Sequence, residues 1–174
     1  MDSRSLLLLG MLIAHSRHGY QINEIIEHNL GYLIDIKKST AYTILDRLSE
    51  AGLVSMTTEQ EGNRPPRKVY SITSSGEQQF YQLLKENLET PDLQYFEEDI
   101  GIMFIDHLSQ EDARASLMQK LQKVDQQIEN YKQVPHHEVG VGVNIAVNHH
   151  LHLLRAEREW LQQVIAELAH HNSI

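Results

Sequence analysis

Between residues 6 and 73 the spacing of apolar residues passes from the three-and-four rhythm of helices to the alternation of strands. That order constrains the fold more than any other feature. Residues 4–15 are dense in Leu, Met and Ile around a single Gly10, as expected of a helix buried by its neighbours. After a break at residues 16–19, Ile22, Ile25, Ile26 and Leu30 share one helical face, and Gly31 ends that second helix. Ser39 is placed to cap a third helix with Ala41, Ile44, Leu45 and Leu48 as its apolar stripe and Thr40, Thr43 and Arg47 on the opposite side; Gly52 closes it. Residues 53–58 and 68–73 then read as strands around the turn-rich residues 59–67. Ser74, with Glu77 three residues on, fits a capping box that opens a fourth helix. Three helices followed by a two-stranded hairpin make a winged helix-turn-helix, whose third helix enters the major groove of DNA.

Thr90, Pro91 and Asp92 mark a boundary, giving a DNA-binding domain over residues 1–88 and a helical dimerisation domain over residues 89–174. The fold class is mainly α with a small β part (α+β). Residues 93–107 suggest one helix. Ser109, with Asp112 three residues later, begins another in which Leu117, Leu121, Val124, Ile128 and Tyr131 alternate spacings of four and three. Val134, Pro135, Gly140 and Gly142 interrupt the pattern, and Val147, Leu151, Leu154, Arg158, Leu161, Ile165 and Leu168 resume it. These are the spacings of coiled-coil seams, and they are assigned to the interface of a homodimer. Arg158 in the seam either fixes its register or snorkels to solvent.

A net charge of −9 argues against a nucleic-acid partner only until its distribution is examined. The first 88 residues hold nine Lys and Arg against ten Asp and Glu; the remainder hold six against fourteen. Lys37, Lys38, Arg47, Arg64, Arg67 and Lys68 crowd one stretch of the near-neutral half, and such clustering is the electrostatic footprint of a DNA reader. The absence of cysteine excludes disulfides and thiolate zinc sites and suits a reducing cytoplasm. The apolar run at residues 6–13 is far too short to span a bilayer, and as a signal peptide it lacks the basic leader, Asp2 offsetting Arg4.

Ser39, Thr40, Thr43 and Arg47 are the candidates for base and phosphate contacts from the third helix, with Lys37 and Lys38 on phosphates before it. Tyr42, at the border of the stripe, either leans on the core or donates its hydroxyl to a phosphate. Arg64, Arg67 and Lys68, held apart by Pro65 and Pro66, suit phosphates or a narrow minor groove. His149 and His152 lie three apart on a helix, but two imidazoles make at most half a tetrahedral metal site, so no metal or other cofactor is expected. No nucleophile elbow, phosphate-cradling glycine loop or HExxH is present, so no catalytic residue is assigned. Tyr95, Phe96, Phe104, Tyr131 and Trp160 are the aromatic residues available to line a pocket for a small aromatic effector.

His18-Gly19-Tyr20, the stretch from Ser39 through Tyr42 and Arg47 to Leu48 with Glu50 to Val54 after it, and the run from Gly62 through Arg64 and Arg67 to Tyr70 and Thr73 together resemble the PadR-like family of transcriptional regulators. The likeness spans residues 6–80. Asn63 and Pro66 interrupt the family's commoner Gly-Arg-Pro-Arg wing. The resemblance implies a winged-helix domain, a helical dimerisation domain and repression of a nearby gene from a pseudo-palindromic operator, relieved in some members by a small molecule. The competing reading is a winged helix turned protein-docking module, without sequence-specific DNA binding.

Overall fold

Helix α1 (Ser3–Leu12) buries Leu8, Leu9, Met11 and Leu12 together with the hydroxyl-bearing Ser5. The computed structural model describes residues 3–13, 17–18, 21–22, 36–60, 66–91, 96–97, 99–135 and 141–170, without the side chains of 17, 18 and 170. Of the expected second helix only Gln21 and Ile22 fall among them; Ile22 is buried, and Ile25, Ile26 and Leu30 lie outside the described residues. By packing, the chain divides into two compact units, Met1–Leu93 and Gln94–Ile174.

In the first unit, α2 (Lys38–Glu50) buries Ala41, Ile44, Leu45 and Leu48, the stripe read from spacing. Its start differs from expectation. The cap position is Lys37, in extended backbone and without a side-chain cap, so Ser39 lies inside the first turn. Gly52, at φ 72°, takes the left-handed conformation that turns the chain from α2 into the sheet. Strands β2 (Val54–Glu59) and β3 (Arg67–Ile72) pair antiparallel from Val54↔Ile72 to Glu59↔Arg67. A third strand, β1 (Arg17–His18), pairs with the other edge of β3 to give the order β1-β3-β2. Two residues are too few for a period to be visible, which is why that stretch reads only as a break.

Helix α3 (Ser74–Glu89) is capped by Thr73 instead of Ser74: the Thr73 hydroxyl accepts from the Gly76 N–H at 3.1 Å. The single proton of the same hydroxyl is shared between the carbonyls of Gly52 at 2.8 Å and Leu53 at 3.1 Å. Thr73 wins the cap because it ends β3 beside those carbonyls, a long-range arrangement that the local capping box cannot express. Gly76 is buried so closely here that a Cβ on it would lie 2.0 Å from the Leu53 carbonyl oxygen. Further along α1, Gly10 lets Phe80 of α3 approach to 3.0 Å of where a Cβ would be.

The second unit opens with α4 (Asp99–Met103) and a 3-10 turn (Ile105–His107), so the single long helix expected over residues 93–107 is not what the described residues form. Ile100, Met103 and Phe104 stay exposed, and a helix without a buried face has little to hold it. Ser109 caps α5 (Gln110–Lys132) as expected, accepting from the Asp112 N–H at 3.1 Å and donating to its carboxylate at 2.6 Å. Helix α6 (Gly142–His170) runs antiparallel to α5. Gln110 at the start of α5 donates to the Leu168 carbonyl near the end of α6, while Tyr131 at the far end of α5 stacks on His150 near the start of α6.

The seam is where the structure corrects the sequence most. Leu117, Val124, Ile128 and Leu161 are buried in a core formed within one chain, with Leu121, Leu151, Leu154, Ile165 and Leu168 packed against it. Val147 is half-buried on the same helix. The four-three spacing therefore serves α5 against α6 within one chain, where the Arg158 side chain, 37% exposed, has its guanidinium 4.0 Å from Asp125 of α5. Heptad spacing specifies a face that needs a partner and says nothing of which chain supplies it.

Gly76→Ala should cost about 3 kcal/mol, because backbone and not a flexible side chain occupies the new methyl's place. Gly52→Ala, strained in φ but with open space around it, should cost about 1 kcal/mol. Urea unfolding of the full chain checks this; equal midpoints for the two variants would show that the Leu53–Gly76 approach relaxes freely.

Candidate nucleic-acid interface

The exposed side of α2 begins with two cations. Lys37 and Lys38 are exposed at the helix N-terminus, the first turn contains no acid, and the backbone N–H groups there carry the positive end of the helix dipole. Ser39 and Thr43 are exposed and Thr40 is half-buried beside them. Thr43 donates its hydroxyl proton to the Ser39 carbonyl at 3.0 Å, which fixes the rotamer and leaves oxygen lone pairs as its free polar function. These groups form one polar ridge a turn and a half long.

Two of the expected contact residues, exposed Arg47 and half-buried Tyr42, also touch the rest of the first unit. Arg47 donates to the hydroxyl of buried Ser5 at 3.2 Å, a bond that ties α2 to α1. Tyr42 packs against the core of the first unit, which favours the first of its two readings.

Arg67 and Lys68 are exposed at the start of β3, opposite Glu59 and Thr58 of β2, while Arg64 lies outside the described residues. The Lys68 ammonium reaches back to 3.8 Å from the Asp46 carboxylate of α2. Asp46 is the residue that sequence reading missed. It shares the exposed side with Thr43, three positions earlier, and that spacing was the available signal. Beneath it, Tyr70 is fully buried and its hydroxyl has no hydrogen-bond partner among the described residues. Burial first, then the nearby Asp46 charge and Tyr42, raise the Tyr70 hydroxyl above its ordinary value and keep it neutral.

Of the aromatic residues proposed for an effector, the four among the described residues do not all converge. Phe96 and Trp160 line one cavity of about 200 Å3 in the second unit, with Asp99, Ile102, Lys120 and Glu157. Phe104 is exposed near His107, at 6.1 Å between ring centroids, Tyr131 stacks on His150 at 5.3 Å, and Tyr95 lies outside the described residues. His152 has its Nδ1 2.8 Å from the Asn148 carbonyl, and His149 meets His150 edge-on at 6.0 Å. Among the described residues no three His, Asp or Glu side chains are grouped to hold a metal ion, and no helix is long and apolar enough to cross a membrane.

A sheet-edge hairpin beside a helix with an exposed polar ridge and a lysine-bearing N-terminus is the arrangement of a winged helix. Residues 8–82 resemble the transcriptional regulator PadR-like family, whose model matches that stretch. The chain is 28% identical over 116 residues to the negative transcriptional regulator PadR of Bacillus subtilis, an alignment covering 67% of this chain and 64%, just under two thirds, of that one. Its fold is similar to that of Bacillus subtilis PadR solved in complex with operator DNA, with a TM-score of 0.82 at 22% identity over 96% of this chain and 99% of the other. PadR solved in complex with p-coumaric acid gives 0.79 at 21% identity over 95% and 98%. At these identities the structural likeness is one of fold.

Tyr70→Phe removes an unpartnered buried hydroxyl and should leave stability within about 0.5 kcal/mol of the parent or raise it. A loss of more than about 1.5 kcal/mol on urea unfolding would mean the hydroxyl has a partner. The second unit should respond to pH. Burial, and then the His149 charge, hold the His150 pKa below its ordinary 6.5, so its contribution is present above that value and is lost as pH falls through the lowered one. His150→Asn should therefore reduce the difference in melting temperature between about pH 7.5 and pH 5; an unchanged difference would assign it to other groups.

Proposed function

We propose that the chain is a homodimeric transcriptional repressor acting in the cytoplasm, that it reads a pseudo-palindromic operator, that a small aromatic effector releases it, and that it catalyses no reaction. The observation that carries this reading is the ridge of α2. Its lysine-flanked N-terminus and exposed Ser39, Thr40 and Thr43 stand beside the cationic start of the wing at Arg67 and Lys68. Lys37 and Lys38 contact phosphates, Thr40 and Thr43 read base edges, and Arg67, Lys68 and the neighbouring Arg64 flank the groove. Arg47 acts through Ser5 to hold the ridge at its angle to α1. The solved PadR complexes with operator DNA and with p-coumaric acid support carrying both kinds of partner to this chain.

A single ridge covers few base pairs, so specificity needs two. With the four-three seam engaged inside each chain, the dimer surface falls to the outward apolar residues of α5 and α6, among them Met118, Ile145 and Leu153, all exposed. The second unit, residues 89–174 in the sequence reading, acts as the dimerisation domain through these side chains.

Light scattering should find a dimer that Ile145→Glu with Leu153→Glu turns into monomers. Fluorescence anisotropy on an inverted repeat should give affinity that falls steeply with salt, and Lys37→Ala with Lys38→Ala should lower the slope by about two. Half-site centres about 10 base pairs apart, or a whole multiple, should bind best, and inserting about five base pairs should bind worst. Thr43→Ala should change preference among operator variants instead of general affinity. Affinity independent of salt and of spacing would leave the protein-docking reading in its place.

A further inference from the structure

Two cavities in the second unit share Ile102 and Lys120. The first, about 200 Å3, has Phe96 and Trp160 as its aromatic walls and Asp99 and Glu157 as its acids. The second, about 240 Å3, continues between Ile105, Leu108, Ala113 and Leu117 and offers mainly hydrocarbon. The Lys120 ammonium stands where they meet, 2.6 Å from the Glu157 carboxylate and 5.6 Å from the centroid of the Trp160 ring. A carboxylate beside an aromatic face is the chemistry that recognises an ammonium group. This corner already holds one, its own lysine.

The charge count then selects the sign of a ligand. Asp99 and Glu157 set two negative charges against the single positive charge of Lys120, leaving the cavity one charge negative. An incoming carboxylate would have to take Lys120 from Glu157 and then face both acids. An incoming cation meets no such conflict, and the Lys120 side chain, 27% exposed, can carry its head to water on a four-carbon stem.

We propose that this site binds an organic cation, an amine or quaternary ammonium with a small apolar body, its head between Trp160 and Glu157 where the Lys120 ammonium now sits and its body among Ile105, Leu108 and Leu117. The inference rests on reading the second unit as the part that receives an effector, and it gives the expected small effector the chemistry of an aromatic or alkyl amine.

Trp160 is the only tryptophan of the chain, so its emission reports this site directly. Benzyltrimethylammonium titrated into the full chain should change that emission saturably, and p-coumarate should not. Glu157→Gln should weaken the cation about tenfold and Asp99→Asn should weaken it less, whereas Lys120→Met, which removes the competing ammonium, should tighten it about tenfold. Circular dichroism confirms that each variant is folded, and Asp99→Asn, at an exposed position, keeps the test open should Glu157→Gln unfold. A separate arm adds benzyltrimethylammonium to the protein on operator DNA. Binding without release would keep the cation site and remove its role as an effector site. Saturable binding of p-coumarate that Lys120→Met abolishes, or no saturable change with benzyltrimethylammonium in any folded variant, would overturn the proposal.

Discussion

The first unit turns on one carbonyl oxygen. Leu53 accepts from the Thr73 N–H at 3.0 Å and from the Thr73 hydroxyl at 3.1 Å, and Gly76 passes it with room for a hydrogen only. Its own N–H donates to the Leu48 carbonyl at 2.9 Å, at the end of α2. The exit of α2, the entry to β2, the end of β3 and the cap of α3 therefore meet at a single residue. Local propensity can make each of those elements alone, but this junction sets the angle between helix and wing. A substitution far from any cation can thus change what α2 and the wing present together.

Where a period is local, the sequence was readable. The stripe Ala41, Ile44, Leu45 and Leu48 is buried as its spacing requires, the two wing strands fall within a residue of their expected bounds, and Ser109 caps α5. What escaped was decided by distant partners. Thr73 displaces Ser74 as a cap because Gly52 and Leu53 are beside it, and Arg47 turns toward Ser5, 42 residues away in sequence. The apolar faces of α5 and α6 are buried as faces, and they meet each other within one chain, a pairing that the spacing alone does not distinguish from one between chains.

The result is a narrower set of exposed polar groups than residue types alone suggest. Lys37, just before α2, and Lys38, Ser39, Thr43 and Arg47 on it are exposed, Arg47 also bonding to Ser5 of α1, while Tyr42 packs against the core. Positioning and contact are thereby divided among different side chains of one helix. Apolar contact sets where the ridge lies, and small hydroxyls, lysines and Arg47 make up its exposed side.

The pairing of Asp46 with Lys68 has a consequence of its own. On the proposed DNA-binding role, the Asp46 carboxylate, 3.8 Å from a wing lysine and like it more than half exposed, is a weak competitor that an approaching phosphate would displace. Exchange gives back part of what each new contact gains, and it gives back most on a duplex that engages the wing alone. On that role, a duplex that the helix ridge does not also recognise would be held more briefly. The acid would in this way shorten the protein's dwell time on wrong sequences more than on the right one.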